Sequence, residues 1–142
     1  MNDITTEDDK LFGSEHVDAY EESDGEHGYH WRGTTILLLT TVGRKSGEKR
    51  TTPLIHRTDG ERYVIIASNG GATDHPAWFK NFSANPSVEI QVKAEKFPVS
   101  VSIAEGEERE RLWKLMTEVW PDYDSYQENT DREIPVVVLE RS

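Results

Sequence analysis

The chain of 142 residues contains no cysteine, which excludes disulfide bonds, thiol nucleophiles and thiolate metal sites. It also lacks any apolar run near the roughly 20 residues that a membrane-spanning helix needs, so no transmembrane segment is predicted. The N-terminal stretch MNDITTEDDK has neither the basic start nor the apolar core of a secretory signal peptide. We therefore expect a cytoplasmic protein, long enough to form a hydrophobic core without disulfides or metals.

Positive charge is scarce. The chain has 16 Lys and Arg against 27 Asp and Glu, a net charge of −11. A field of this sign repels nucleic acid and anionic membranes, so no nucleic-acid partner is expected. Composition leaves open whether the excess of acidic residues is an adaptation to high salt.

Acidic residues dominate the first 30 positions. This stretch holds ten acids and one base, Lys10, and has too few apolar residues to bury a face of its own. Such a composition is typical of a mobile or loosely docked segment. We predict an acidic flexible N-terminal arm over 1–30, in which a short helix over 7–22 is possible, and a folded body over 31–142.

The few basic residues are concentrated in the segment GRKSGEKRTTP and its flanks. Residues 42–57 carry five bases against one acid, a net +4, so the remainder of the chain carries −15. Two glycines bracket positions 44–46, and hydroxyls follow at Thr51 and Thr52. Glycine lets backbone N–H groups turn toward a ligand, and arginine pairs with phosphate or carboxylate in fork geometry. The spacing is not that of a Walker loop; a solvated hairpin turn is the simpler alternative, and the contrast with the rest of the surface favours an anion site.

The remaining pattern is mainly that of strands. Apolar runs and clean alternation predict about six strands, and amphipathic spacing predicts three short helices. The strand segments are TTILLLTTV, TPLIHRTD, ERYVIIAS, SVEIQVKA, FPVSVSIA and IPVVVLE. Asp59-Gly60 separates two of them and is a strong hairpin signal, because glycine accepts a positive φ. The order of elements predicts a small β-barrel with peripheral helices, an α+β fold that is mainly β.

Two further segments carry candidate site residues. In ASNGGATDHPAWFKN, a glycine pair at a strand end suits a flat ring lying against the backbone, although an ordinary connection with Trp78 and Phe79 in the core explains the same pattern. In WPDYDSYQ, Tyr123 and Tyr126 stand three residues apart on one helical face. Paired phenols can line a pocket and donate a proton, and amphipathic packing is again the simpler alternative.

Together, LLLTTVGRKSGEKRTTPL, VIIASNGGATDHPAWFKNFSANPSVEIQV and ERERLWKLMTEVWPDYDSYQENTDREIPVVVLER resemble the deazaflavin (coenzyme F-420)-dependent nitroreductase and quinone reductase family. The resemblance spans about residues 33–141 and implies a split β-barrel related to the FMN-binding barrels, over 31–142. It also implies coenzyme F-420, an 8-hydroxy-5-deazaflavin that carries a phosphate and a polyglutamate tail, whose charge suits the basic segment. Many family members have lysine where this chain has Asn69, and a well-known member has an aromatic residue at the place of Ile55, which leaves the acceptor preference open.

The resemblance assigns the cofactor-contacting residues by position. Those expected at the phosphate and tail are Arg44, Lys45, Ser46, Arg50, Thr51 and Thr52. Those expected under the ring and along its edge are Pro53, Leu54, Ile55, Ile66, Ala67, Ser68 and Asn69. The contacting segment is completed by Ala77, Trp78, Phe79, Lys80 and Asn81.

The predicted activity is hydride transfer from reduced F-420 to a quinone, a nitroaromatic or a similar conjugated small-molecule acceptor. Ser68 is expected to hydrogen-bond the acceptor, and Tyr126, with Tyr123, to line the pocket or protonate the product. Two alternatives stay open: an FMN-dependent barrel, in which Lys49 and Arg57 would be idle, and a non-catalytic binder or carrier of an anionic cofactor. Peripheral membrane contact is compatible with a lipid-soluble quinone, and the oligomeric state is not predicted.

Overall fold

A computed structural model describes residues 7–142 of the chain. Its strands are β1 (His30–Trp31), β2 (Thr34–Val42), β3 (Lys49–Asp59), β4 (Arg62–Ile66), β5 (Val88–Val92), β6 (Glu95–Ile103) and β7 (Val136–Arg141). The α-helices within these residues are α1 (Gly13–Ser23), α2 (Ala77–Ala84), α3 (Gly106–Thr117) and α4 (Asp122–Glu128). Short 3₁₀ turns cover Glu7–Lys10 and Asn69–Gly71. None of these helices is both long and apolar enough to cross a membrane.

Six strands form a closed antiparallel barrel. Their order is β2-β3-β4-β7-β6-β5, and β5 pairs back onto β2, while the two residues of β1 add a short hairpin to β2. Closure pairs the strand edges that an open sheet would leave exposed. The predicted mainly-β barrel with peripheral helices is confirmed.

Three strands of the barrel are covered on both faces, which explains their continuous apolar runs. In β2, Leu37 and Leu39 point into the barrel, whereas Ile36 and Leu38 belong to a separate cluster outside it. The outer faces of β4 and β7 pack under α3 and α4, around Leu112. The helices are therefore needed to bury the second face of these strands.

Residues 7–30 pack against the barrel as well. Helix α1 covers the outer face of β2 through Val17 and Tyr20, and Tyr20 is fully buried. Its hydroxyl donates to the Ile36 carbonyl at 3.0 Å and accepts from the Lys93 N–H at 2.8 Å. Burial raises the pKa of Tyr20 to about 12. The division of the chain at residue 30 stays a prediction. The packing of α1 on β2 was not predicted, because only a few apolar side chains carry it.

The 11-residue strand β3 leads from the basic segment to the predicted hairpin. It pairs with β4 from Arg57 to Asp59, and Gly60 follows with φ +64°. The hairpin prediction is thus confirmed, with Gly60 and Glu61 as the turn residues between the paired ends. Since β3 also pairs with β2 along most of its length, its side chains are held in a fixed register.

Candidate active site

A basic cleft of about 530 Å³ opens between the β2–β3 loop and α2. It is lined by Gly43, Arg44, Lys45, Ser46, Lys49, Arg50, Thr51, Thr52, Ala77, Trp78 and Asn81. Four of these side chains are cationic, and all four are exposed. One acid of the same loop, Glu48, pairs with Arg50 at 3.7 Å and is itself well exposed. The cleft therefore presents a local positive charge on an acidic protein.

The loop at the cleft is folded tightly by its own backbone. The Gly43 N–H donates to the Glu48 carbonyl at 2.7 Å, and the Gly47 N–H donates to the Gly43 carbonyl at 2.8 Å. A Cβ at Gly43 would stand 2.6 Å from the Ser46 hydroxyl oxygen, so only glycine fits there without a shift. The Ser46 hydroxyl accepts from the Glu48 N–H. These bonds hold positions 44–46 as one compact turn.

Asn81 on α2 anchors the loop. Its side chain is buried, and its Oδ1 accepts from both the backbone N–H and the guanidinium of Arg44, at 3.2 and 2.9 Å. Its Nδ2 donates to the Thr41 hydroxyl on β2 at 3.3 Å. Asn81 was predicted to contact the cofactor; here its amide orients Arg44 toward the cleft.

An apolar cavity of about 320 Å³ adjoins the basic cleft. Its lining comprises Phe12, Gly13, His16, Trp31, Ile36, Thr52, Pro53, Leu54, Ile55, Ile66, Ser68, Gly70, Trp120, Tyr123 and Tyr126. Thr52 lines both the cavity and the cleft, so the two spaces meet on β3. A ligand with a flat ring and an anionic tail can therefore extend from one into the other.

Ser68 brings a hydroxyl to this cavity. It lies just beyond β4, where the chain leaves the barrel and enters the 3₁₀ turn of residues 69–71. Within residues 7–142 its hydroxyl makes no hydrogen bond, while its backbone carbonyl accepts from the Gly71 N–H at 2.9 Å. The hydroxyl is thus available to a ligand, and the backbone that carries it is fixed.

The predicted tyrosine pair also reaches the apolar cavity. The two rings stand edge to face, 6.1 Å apart. Tyr123 is buried beneath α3, and burial followed by the neighbouring Tyr126 raises its pKa. The Tyr126 hydroxyl accepts from the Trp120 indole N–H at 3.3 Å, which leaves its own proton free to be donated. Of the two phenols, Tyr126 is therefore the better placed to give a proton to a ligand.

Some predicted contact residues lie outside both linings. Ala67 is fully buried, and Phe79 packs partly buried against the barrel core beside Trp78. Asn69 is exposed and donates to the Asp74 carbonyl, while the Lys80 ammonium contacts the Asp74 carboxylate. Each of these side chains has a structural partner in place of an open face toward the cavity. The cofactor-binding role of the predicted set as a whole stays a prediction.

Arg57 likewise stands apart from the basic cleft. Its guanidinium donates to the Leu115 carbonyl at 2.9 Å and to Glu118 at 2.6 Å. The net +4 counted over 42–57 therefore overstates the charge of the cleft, because one of the five bases is bound to α3.

One wall of the apolar cavity was not predicted from the sequence. Phe12, His16 and Trp31 come from the segment predicted as an arm and from the start of the body, and Trp120 precedes α4. Trp31 stacks on Trp120 with ring centres 6.0 Å apart, and its indole N–H donates to the Leu11 carbonyl. The sequence signals for this wall were Trp31 at the start of the predicted body and Trp120 in the segment WPDYDSYQ.

Comparison with known proteins assigns this arrangement to a family. The family described as F420H(2)-dependent quinone reductase matches residues 12–141. The F420H(2)-dependent quinone reductase Rv1261c of Mycobacterium tuberculosis is 39% identical over 130 residues, covering 89% of this chain and 87% of that protein. A solved F420-H2 dependent reductase, FDR-A, is 45% identical with a TM-score of 0.67, covering 74% of this chain and 93% of that one.

A more distant structure bears on the fold alone. A FAD-binding protein of Mesorhizobium loti is 12% identical with a TM-score of 0.51, covering 75% of this chain and 78% of that one. Its similarity agrees with the split β-barrel related to flavin-binding barrels that the sequence predicted. The family resemblance predicted from the sequence is confirmed by the match over residues 12–141 and by relatives of about 40% identity. The chain belongs to the F420H(2)-dependent quinone reductase family.

Proposed function

We propose that this protein binds reduced coenzyme F-420 across the basic cleft and the apolar cavity and catalyses hydride transfer to a quinone. The observation that carries the proposal is the meeting of the two spaces at Thr52. A cluster of cations beside an apolar cavity suits a ligand with an anionic tail and a flat conjugated ring.

The donor set of the cleft fits that cofactor. Arg44 and Arg50 offer forked donors to phosphate or carboxylate, and Lys45 and Lys49 add point charges. Strand β3 then leads into the cavity through Pro53, Leu54 and Ile55. Successive side chains of a strand alternate between faces, so Pro53 and Ile55 are suited to pack against a ring, while the Leu54 side chain packs into the barrel core. F-420, when bound in its reduced form, supplies a hydride and no single-electron chemistry.

The side chains of the cavity complete the reaction. Reducing a quinone to a hydroquinone consumes one hydride and one proton, and negative charge develops on the quinone oxygens as the hydride arrives. The Ser68 hydroxyl is proposed to donate a hydrogen bond to one oxygen, which orients the ring and stabilises this charge. The Tyr126 phenol is proposed to give its proton to the hydroquinone anion and to recover one from solvent. Tyr123, whose burial makes its proton harder to remove, is proposed to line the wall.

The test begins with binding. Purified protein titrated with oxidised F-420 should quench the fluorescence of the coenzyme with a micromolar or lower Kd, and binding should weaken with added salt. FMN is the control, since its shorter anion reaches less of the cleft. A preference for FMN would contradict the cofactor assignment.

Turnover is then measured with reduced F-420 and a soluble naphthoquinone such as menadione. Hydroquinone should form in step with oxidation of the coenzyme. Tight binding without turnover over a panel of quinones and nitroaromatics would instead support a carrier.

A further inference from the structure

Arg132 is a highly connected side chain that the proposed chemistry does not use. It lies between α4 and β7, and its guanidinium donates to three backbone carbonyls of the segment 67–72. Nη2 donates to Ser68 at 2.7 Å, Nε to Ala72 at 2.9 Å and Nη1 to Ala67 at 3.3 Å. One guanidinium thus binds both ends of the turn that begins at Ser68.

The choice of partners is unusual for an arginine in this protein. The chain has 27 acidic residues, yet within residues 7–142 no carboxylate lies within ion-pair distance of Arg132. Its remaining contact is the Nδ1 atom of His75, 3.0 Å from Nη1. The planar fork of arginine is therefore directed at neutral acceptors whose positions define one loop.

The same residue is tied to the helix that carries the tyrosines. The Gln127 side-chain amide on α4 donates to the Arg132 carbonyl at 2.8 Å, and the Gln127 Oε1 accepts from the Ile134 N–H at 2.9 Å. A Cβ at Gly71 would stand 2.9 Å from the Tyr126 backbone, so the loop and α4 are also in close backbone contact.

We infer that Arg132 is a positioning residue, which fixes the segment 67–72 against α4 so that the Ser68 and Tyr126 hydroxyls hold a constant separation across the apolar cavity. This inference rests on the proposed function, in which both hydroxyls act on the acceptor. Arg132 lines neither the cavity nor the cleft, so it is inferred to act through Ser68. An error of about 1 Å in such a group is enough to slow a reaction about 100-fold.

A double-mutant cycle separates positioning from general stabilisation. Arg132→Gln should lower kcat about tenfold or more in the wild-type background, but less than about twofold in a Ser68→Ala background, because the group that it positions is then absent. The Kd for oxidised F-420 should change little in either background. Arg57→Gln is the matched control: Arg57 also bonds a backbone carbonyl, that of Leu115, but does not contact the loop, so it should have the same small effect in both backgrounds.

An equal loss of kcat in both backgrounds would overturn the inference. So would a loss confined to the Kd for F-420, which would place Arg132 in cofactor binding. If wild-type protein shows no quinone turnover at all, the proposed function is wrong. This outcome is distinguishable from a failure of the inference on Arg132, which requires active wild-type protein and an equal loss of kcat in both backgrounds. Should Arg132→Gln fail to fold, Arg132→Lys retains the charge without the fork and is carried through the same cycle.

His75 gives a second readout. Burial, followed by the Arg132 charge, lowers the pKa of His75, so its ring is neutral at pH 7 and accepts from Arg132. The other charged groups facing it are Asp74 and Lys80. The His75 ring becomes protonated only at a pH below its usual pKa of about 6.5. Protonation removes the acceptor of the Arg132 hydrogen bond and places two positive charges side by side. We expect kcat of the wild-type protein to fall as the pH is lowered below this value, and we expect this fall to shift or flatten in His75→Gln. An unchanged dependence of kcat on pH in His75→Gln would contradict the role of His75 in holding Arg132.

Discussion

The basic cleft and the apolar cavity share strand β3, but the cleft consists of exposed charges whereas the cavity consists of packed, mostly apolar side chains. The cleft is a surface of exposed charges on a glycine-bracketed loop, held by the buried amide of Asn81. The cavity is a set of packed rings and aliphatic side chains, with the Ser68 and Tyr126 hydroxyls as its polar groups of interest. Strand β3 contributes residues 49–52 to the cleft and residues 52–55 to the cavity, so it passes from one to the other at Thr52.

This division predicts that cofactor binding and the chemical step can be changed separately in this molecule. Long-range charge attracts an anionic ligand and is screened by salt, whereas the orientation of reacting groups depends on short-range packing and hydrogen bonds. Substitutions in the cleft should therefore change affinity, and substitutions in the cavity should change turnover.

The largest effect is expected from removing both cleft arginines. Arg44→Ala with Arg50→Ala should raise the Kd for oxidised F-420 at least about 100-fold, because each charged hydrogen bond contributes about 1.5–3 kcal/mol. The kcat at saturating cofactor should stay within about threefold, since neither side chain lines the cavity. Fluorescence titration and steady-state kinetics measure the two quantities separately. A loss of kcat as large as the loss of affinity would show that the cleft and the cavity do not act independently.

Ser68→Ala should give the opposite pattern. We expect kcat to fall about 10- to 100-fold, because the hydroxyl meets charge that develops only during the reaction. The Kd for F-420 should change less than about twofold. Ser68→Thr, which retains a hydroxyl, is the control and should recover part of the loss. If kcat for the alanine variant equals that of wild-type protein, Ser68 has no part in the reaction.

A smaller effect is expected at the N-terminal wall of the cavity. Phe12 is 73% exposed although it is apolar and lies at the cavity, so an acceptor that enters beside it can cover its ring. Phe12→Ala should raise the KM for menadione about three- to tenfold, the loss of roughly 1 kcal/mol of apolar contact. The Kd for F-420 should not change, and Phe12→Leu should be close to wild type. An unchanged KM in Phe12→Ala would exclude this ring from the acceptor site.

The same wall shows where sequence reasoning was sufficient and where it was not. The strands and the basic loop were predictable because they depend on patterns among neighbouring residues: the alternation of apolar and polar residues, the spacing of glycines and the local charge. His16 and Trp31 reach the cavity from α1 and β1, and the apolar face of α1 is carried by few side chains in an acidic stretch. An apolar run in β2 implied a cover on its outer face, but nothing in the run identified α1 as that cover.

The remaining differences between the predicted site residues and the structure arise from the partners that these side chains find. Arg57 and Lys80 carry the charge expected of anion-binding residues. However, Arg57 forms an ion pair with Glu118, and Lys80 forms one with Asp74. Such pairings join residues far apart in the chain or across a turn, so the sequence gives their charge but not their partner. Ala67 and Phe79 were assigned by position in a motif, and their burial depends on how the barrel closes.

The smallest effect on cofactor affinity is expected from a matched pair of substitutions on β3. The pair tests whether the position of a positive charge or the net charge of the protein determines that affinity. Lys49→Gln and Arg57→Gln each remove one positive charge from the same strand, but only Lys49 lines the basic cleft. Lys49→Gln should raise the Kd for F-420 about three- to fivefold, in line with about 1 kcal/mol for an exposed charge. Arg57→Gln should raise it less than about twofold, because its guanidinium is engaged with Glu118 and the Leu115 carbonyl and lies outside the cleft. Equal losses of affinity in both variants at low salt would mean that the net charge of the protein, and not the position of the base, sets the affinity for the cofactor. A loss of affinity in Lys49→Gln alone assigns the attraction to the basic cleft.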